Sequence, residues 1–317
     1  MRNKKIDALK FLAIFSVVCA HTAPTVSDNI ISKKIGILFN DFGCVGVGIF
    51  LAISGYFYYN NNKKIKVFLN EKINTIFIPW LFVGTLVYIL VFYFQNTLSF
   101  LNYIKFLVGY GSYLYFLTIL ILLYIIYSKL KDNICFLNIT TILSLMSITI
   151  TIILGYNSFS YLNVFNWMIY FNIGIYIKKY NLMETLNKIT KKYFILIIFI
   201  NTLTNILIII YDINIGYWTN NGLIYSLITS FFFISILEII KENKLVNFIG
   251  KNTMPIYLIH MPIAGILVRI ANILNSTLFD ILKPIITLLI TTLVIYIYNI
   301  IVKKIGNEKL KYLIGIR

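Results

Sequence analysis

The sequence predicts an all-α integral membrane protein with about ten transmembrane helices and with both termini in the cytoplasm. Of the 317 residues, 59% are hydrophobic and only 12% are charged, and the mean hydropathy is +0.85. A water-soluble fold of this length cannot bury so much apolar side-chain surface. Because apolar runs recur from Ile6 to Val302, residues 1–317 are expected to form a single polytopic membrane domain.

Ten apolar runs are close to the length of about 20 residues that crosses the hydrocarbon core of a bilayer as a helix. They lie at 6–23, 42–59, 74–94, 112–128, 134–154, 161–177, 193–211, 222–240, 253–273 and 284–302. The connections expected on the outer face, at 24–41, 95–111, 155–160, 212–221 and 274–283, are short and are predicted to be loops.

The basic residues are distributed unequally between the connections. With the N-terminus inside, twenty-two Lys or Arg residues fall in inner segments, and only Lys33, Lys34, Lys105 and Lys283 fall in outer ones. This asymmetry is typical of multi-spanning membrane proteins, whose cytoplasmic loops are rich in Lys and Arg. The net charge of +17 is therefore interpreted as a signal of topology, and no nucleic-acid partner is predicted.

Ionisable side chains inside apolar runs are costly in a bilayer and are therefore candidates for function. Span 1 contains Asp7, Lys10 and His21. On an α-helix Lys10 and His21 share one face and lie about 16 Å apart along the axis, so this face is predicted to line a passage. Asp7 is one turn before Lys10, and the two are predicted to form an ion pair.

Span 9 carries Tyr257 and His260 on one face, with two prolines that distort the helix around them. Arg269 lies on the opposite face, and Glu238 lies at the inner end of span 8. Both of these charged residues are predicted to extend toward the membrane surface.

Span 2 is rich in glycine, which favours close contact between helices. Ser54, Gly55 and Tyr56 near its end are predicted to serve helix packing, and Ser54 as a nucleophile is the less favoured alternative because no base is near it in sequence. The three cysteines have neither a disulfide pattern nor the spacing of metal ligands, and no metal site is predicted.

Four of these segments together resemble the integral-membrane acyltransferase 3 family, in family order. The first two resemble its opening helix, with a basic residue and a histidine separated by ten residues, and its "FF-x-x-SGY" helix. The last two resemble its "hxWFL" and "YLxH" segments. In this chain the four segments are Ile6–His21, Gly46–Tyr56, Tyr113–Leu117 and Ile249–His260.

The resemblance implies a stand-alone acyltransferase in a bacterial plasma membrane. Members pass an acyl group, usually acetyl from cytoplasmic acyl-CoA, to a hydroxyl or amine of an envelope glycan or lipid-linked sugar. His21 would be the base or the acyl carrier, because an imidazole with an ordinary pKa near 6.5 titrates close to neutral pH. Lys10 would stand where the family usually has arginine, and His260 and Tyr257 would orient the reacting groups.

The resemblance also places coenzyme A at the inner surface, where Lys72, Lys63 and Lys64 would attract its phosphates. The sequence departs from the family at Thr75, where a second basic residue is common, and at Tyr115, which replaces tryptophan. Lysine is less suited than arginine to bidentate phosphate contacts, so the retention of Lys72 alone and the departure at Thr75 bear on donor binding, whereas the change at Tyr115 is milder.

Two other functions use the same features. In one, the polar face of span 1 is a path for amino-acid transport, as in the membrane half of certain membrane-bound serine racemases. In the other, the helices bind a polysaccharide for export. Dependence on acyl-CoA discriminates the enzyme from both alternatives.

Overall fold

The computed structural model describes residues 4–24, 29–61, 63–128, 130–155, 158–213, 215–217, 219, 221–237 and 243–316. These residues form helices and the turns between them, and they contain no β-strand. The all-α class is therefore confirmed.

Seven helices occupy the first part of the chain, and a π-helical turn at Ile73–Phe77 joins the fourth to the fifth. They are α1 (Lys4–Thr22), α2 (Ile30–Gly43), α3 (Val45–Tyr59), α4 (Ile65–Lys72), α5 (Ile78–Phe94), α6 (Phe100–Val108) and α7 (Tyr115–Ile126). The remainder are α8 (Ile134–Leu154), α9 (Ser158–Leu162), α10 (Phe165–Lys179), α11 (Leu182–Lys192), α12 (Phe194–Tyr211), α13 (Gly222–Ile236), α14 (Lys244–Lys251), α15 (Thr253–Leu274), α16 (Thr277–Ile305) and α17 (Lys309–Ile314).

A helix occurs at each of the ten predicted spans, and α8 has the predicted bounds. Six helical stretches in the described chain are long and apolar enough to cross a membrane: Ile30–Tyr59, Lys66–Phe94, Ile134–Leu154, Phe194–Tyr211, Thr253–Leu274 and Thr277–Ile305. The shorter helices α7 and α13 are also apolar, whereas α1 carries Lys5, Asp7 and Lys10 and is not among the six. The total of ten spans and the cytoplasmic termini remain predictions.

Four connections predicted as loops are wholly or partly helical instead. Residues 30–43 form α2, residues 100–108 form α6, residues 158–160 begin α9, and α16 begins at Thr277 rather than at residue 284. The charged residues Asp280 and Lys283 lower the hydropathy of the first turns of α16, but they form an ion pair with each other and are buried. The assignment of Lys283 to an exposed loop was wrong for this reason.

The chain forms two compact units. The first comprises Met1–Ile49 and Glu184–Ile301, and the second comprises Phe50–Met183 and Val302–Arg317. Each unit has its own buried helix contacts, described in turn below.

In the first unit, α1 packs closely against the end of α2 and the start of α3. A methyl group added to Gly46 would overlap the carbonyl oxygen of Ala13, and one added to Gly43 would lie 2.5 Å from the Cα of Ala20. Between these two contacts, the Ser16 hydroxyl donates a 2.6 Å hydrogen bond to the carbonyl of Phe42. Small residues at such a crossing allow two helix backbones to approach, as is common in membrane proteins.

A buried polar cluster joins α2 to α16 in the same unit. The Lys283 ammonium donates to Asp280 Oδ1 at 2.8 Å, and the Ser32 hydroxyl donates to Asp280 Oδ2 at 2.9 Å. All three side chains are 0–1% exposed. Buried charges are tolerated when they are paired and hydrogen-bonded, so this cluster fixes α2 in place.

In the second unit, α3 and α10 cross with their backbones in contact. A methyl group on Gly55 would overlap the carbonyl of Phe171, and one on Gly174 would overlap the carbonyl of Ala52. A second contact joins α10 to α8 through polar side chains, including the Ser144 hydroxyl, which donates to the Phe165 carbonyl at 2.6 Å.

Replacement of either crossing glycine by alanine should disrupt the second unit. We expect Gly55→Ala or Gly174→Ala to lower the temperature at which the detergent-solubilised protein loses its monodisperse elution peak by several degrees or more, because a methyl group cannot fit against a backbone carbonyl. Gly265→Ala on α15 is the matched control, because a methyl group there meets no atom within 4 Å. Equal effects of all three substitutions would contradict this packing.

Candidate functional site

Helix α1 carries three of the predicted site residues. Asp7 is 2% exposed, Lys10 is half-buried, and His21 in the last turn is exposed. Ile14 and Val17 lie within about 40° of Lys10 around the helix, and they are 0% and 3% exposed. Buried apolar side chains therefore occupy the face between Lys10 and His21. The ion pair of Asp7 with Lys10 remains a prediction.

The structure brings together the two histidines of the chain, which are far apart in sequence. The ring centroids of His21 on α1 and His260 on α15 are 5.3 Å apart, and the ring planes are inclined by 45°. His21 is exposed, whereas His260 is 0% exposed. An accessible imidazole thus lies against a buried one, within the first unit.

The buried ring is fixed by the backbone of its own helix. His260 Nδ1 lies 2.6 Å from the carbonyl oxygen of Tyr257. A carbonyl oxygen can only accept a hydrogen bond, so Nδ1 carries the hydrogen of the neutral ring and Nε2 is its acceptor nitrogen. The Tyr257 ring is also near, with its centroid 5.8 Å from that of His260, and Tyr257 is 5% exposed.

Two further charged residues, Arg269 and Glu238, were singled out from the sequence. Arg269 is exposed on α15, as expected for a residue that extends to the surface. Glu238 lies outside the residues that the structure describes.

The first unit holds a further buried carboxylate that the sequence did not indicate. Asp41 near the end of α2 is 0% exposed, and its Oδ1 accepts a 3.0 Å hydrogen bond from the backbone N–H of Ile215. An acidic residue directly before the glycine-rich start of span 2 was the available signal, but it fell in a segment predicted to be an exposed loop. The bond ties the end of α2 to the segment that follows α12.

The lysines predicted to attract coenzyme A belong to the second unit. The Lys72 ammonium is half-buried, and it lies 4.8 Å from the ring centroid of Phe68 and 5.1 Å from that of Tyr124. Lys63 is exposed and forms an ion pair with Glu71, and Lys64 is exposed at the start of α4. Lys72 directly precedes the π-helical turn, a feature that is frequent at functional sites.

The second unit also holds Lys131 and Lys178 on aromatic rings, and neither residue was singled out from the sequence. The Lys131 ammonium is 5.8 Å from the Tyr58 ring centroid, and it donates to the carbonyls of Tyr59 and Asn61, where α3 ends. The Lys178 ammonium is 5.5 Å from the ring centroid of Tyr56. Tyr56 thus contacts a cation, while Ser54 lies half-buried on the same helix.

Among the described residues, no group of three or more His, Cys, Asp or Glu side chains is arranged to hold a metal ion. The three cysteines are free thiols on α1, between α2 and α3, and on α8.

Long apolar helices are typical of an integral membrane protein, and in this chain two of the helices bring a pair of imidazoles together. Comparison with protein-family models identifies it further: residues 3–301 match the acyltransferase domain of the acyltransferase 3 type. The chain belongs to the acyltransferase 3 family. No curated protein and no solved structure matches the chain.

The unequal exposure of the two histidines can be measured directly, because the chain contains only these two. We expect diethyl pyrocarbonate to modify His21 in the folded, detergent-solubilised protein at least tenfold faster than His260, since a reagent in solution reaches an exposed ring before a buried one. Peptide mass spectrometry after brief treatment gives the two rates. The unfolded protein is the control, in which the rates should converge. Equal rates in the folded protein would contradict the described burial.

Proposed function

We propose that this membrane acyltransferase moves an acyl group, acetyl in the first instance, from coenzyme A to a hydroxyl or amine of an envelope glycan or lipid-linked sugar. The observation that carries the proposal is the contact between the exposed imidazole of His21 and the buried imidazole of His260, in a chain of an acyltransferase family. A bacterial plasma membrane is the proposed location, because it separates cytoplasmic acyl-CoA from envelope acceptors.

In the proposed reaction His21 is the general base. It takes the proton of the acceptor hydroxyl as the oxygen attacks the thioester carbonyl, and the carbon–sulfur bond then breaks. The proton passes from His21 to the departing thiolate, so the products are the acylated acceptor and coenzyme A with a free thiol. His260 and Tyr257 are buried, and their proposed orienting role is exerted on the His21 ring, against which His260 lies. No metal takes part in this scheme.

We propose that Lys10 binds the acyl donor, coenzyme A, and does not contact the reacting atoms. It lies about 16 Å along α1 from His21, with the buried residues Ile14 and Val17 on the face between them. A group at that distance cannot hold an oxyanion formed beside His21, but its charge suits an anionic part of coenzyme A.

Lys72, with Lys63 and Lys64, is also proposed to attract the phosphates of the donor. Lys72 is the strongest candidate of the three, since its ammonium is held against two aromatic rings. Lys63 already has an acidic partner in Glu71, so its charge is partly offset.

The transport alternative is less well supported. It requires a polar path along the Lys10–His21 face of α1, and this face is packed with buried apolar side chains between the two residues. No observation favours glycan export over acyl transfer.

The test is transfer of label from acetyl-CoA. Membrane vesicles with the cytoplasmic face outward receive radiolabelled acetyl-CoA, and label is followed into lipid, glycan and protein fractions. We expect wild-type vesicles to label one envelope fraction and His21→Ala to reduce that labelling about 100-fold or more, because a general base contributes about 10²–10⁴-fold to a rate.

Arg269→Gln is the matched control, since Arg269 is exposed and lies on the opposite face of α15 from His260, about 13 Å along the axis; it should retain wild-type labelling. Full transfer by His21→Ala would remove His21 from the mechanism. Absence of transfer by the wild-type protein, with native acceptors present, would contradict acyl transfer and favour the transport alternative.

A further inference from the structure

His260 is too deeply buried to meet a substrate in the described structure. Its side chain is 0% exposed, and the accessible ring beside it is that of His21. Any contribution of His260 to the reaction therefore acts through His21. Contact with the reacting groups is not required for such a role.

The hydrogen bonds available to His260 are also restricted. Its Nδ1 is committed to the carbonyl of Tyr257 at 2.6 Å, a bond made within one turn of the same helix. In the neutral ring this commitment makes Nε2 an acceptor with a fixed direction. Neither a rotation of the ring nor a change of tautomer can occur without breaking the bond to Tyr257.

The separation of the two rings suits a hydrogen bond between them. The ring centroids are 5.3 Å apart. When one nitrogen of each ring is directed toward the other ring, this separation places the two nitrogens about 3 Å apart, which is the ordinary length of a hydrogen bond. The buried ring is held by its bond to Tyr257, so the hydrogen bond requires the exposed His21 ring to direct an N–H toward it.

We propose that His260 is a positioning residue that accepts a hydrogen bond from one ring N–H of His21 and so leaves the other His21 nitrogen as the base. This inference rests on the proposed function. The proton of the acceptor hydroxyl goes to that second nitrogen and then to the thiolate, while His260 keeps its own hydrogen on Nδ1 throughout. The arrangement performs the orienting task of the carboxylate in a serine–histidine–aspartate triad, with an uncharged acceptor.

An uncharged acceptor fits the surroundings of His260. Ile256 and Ala264, which lie one turn to either side of His260 on α15, are apolar and are 0% and 2% exposed. A carboxylate in such surroundings would be costly to bury, whereas a neutral imidazole with one hydrogen bond already satisfied costs much less. The Tyr257 carbonyl supplies that bond.

The first test compares steady-state acetyl transfer by wild type, His260→Leu and His260→Gln. We expect His260→Leu to lower kcat about 10–100-fold, at the lower end of the contribution of acid–base groups, with KM for the acceptor within about twofold, because His260 does not contact it. Glutamine can accept a hydrogen bond near the position of Nε2, so His260→Gln should recover most of the loss. Arg269→Gln should match wild type.

The second test does not depend on acyl transfer. The rate at which diethyl pyrocarbonate modifies His21 reports the nucleophilicity of its ring, which an acceptor on the other nitrogen increases. We expect this rate to fall severalfold in His260→Leu and to recover in His260→Gln, with elution and melting temperature confirming that each variant is folded.

The outcomes separate the two proposals. Unchanged His21 reactivity in a folded His260→Leu variant would overturn the positioning role, whatever the fate of acyl transfer. A raised KM with unchanged kcat would also overturn it and would place His260 in substrate binding. If the modification rate of His21 changes as expected in the variants but no protein transfers acetyl, the hydrogen bond between the two histidines is supported and the proposed reaction is rejected. If His260→Leu does not fold, a His260→Gln variant with the rate constants of His260→Ala would overturn the inference.

Discussion

The close approach of α1 to the glycines that end α2 and begin α3 is the contact on which the arrangement of the site depends. Ala13, Ser16 and Ala20 lie on one face of α1, and Gly43 and Gly46 admit the backbone of that face without intervening side chains. Because a helix turns by 100° per residue, packing this face of α1 against the two glycines fixes the direction of every other side chain of α1. His21 is thereby directed away from the crossing and toward α15.

Two groups of buried polar side chains in the first unit are held by internal hydrogen bonds, as is expected when water is scarce. Asp280, Lys283 and Ser32 form one such group, and Asp41 accepts a backbone hydrogen bond from Ile215. Both groups hold α2, the helix that packs beside the end of α1. The elements around His21 are thus fixed by internal hydrogen bonds, and the His21 ring itself is left exposed.

Much of the fold follows from the sequence, because an apolar run of membrane-spanning length has few alternatives to a helix. The bounds of α8 were predicted for this reason, whereas the start of α16 was missed because Asp280 and Lys283 lower the local hydropathy. Helices α2 and α6 were missed because they are shorter than a span. Hydropathy alone does not distinguish a short helix from a loop.

The site was less predictable than the fold. Helical periodicity placed Lys10 with His21 and Tyr257 with His260, but it cannot tell which face of one helix meets which face of another. The contact between His21 and His260 joins residues on α1 and α15, and it cannot be predicted from the local sequence around either residue. The same limit applies to Lys131 and Lys178, whose ring contacts depend on tertiary packing.

The proposed reaction requires a coenzyme A thioester to reach His21. The most direct measurement is an experimental structure of the protein in lipid nanodiscs with a ketone analogue of acetyl-CoA, in which a methylene group separates sulfur from the carbonyl carbon. We expect the carbonyl carbon of the analogue within about 4 Å of a His21 ring nitrogen, close to the separation of reacting atoms in a near-attack geometry. An analogue bound with its carbonyl group remote from His21 would contradict the proposed reaction.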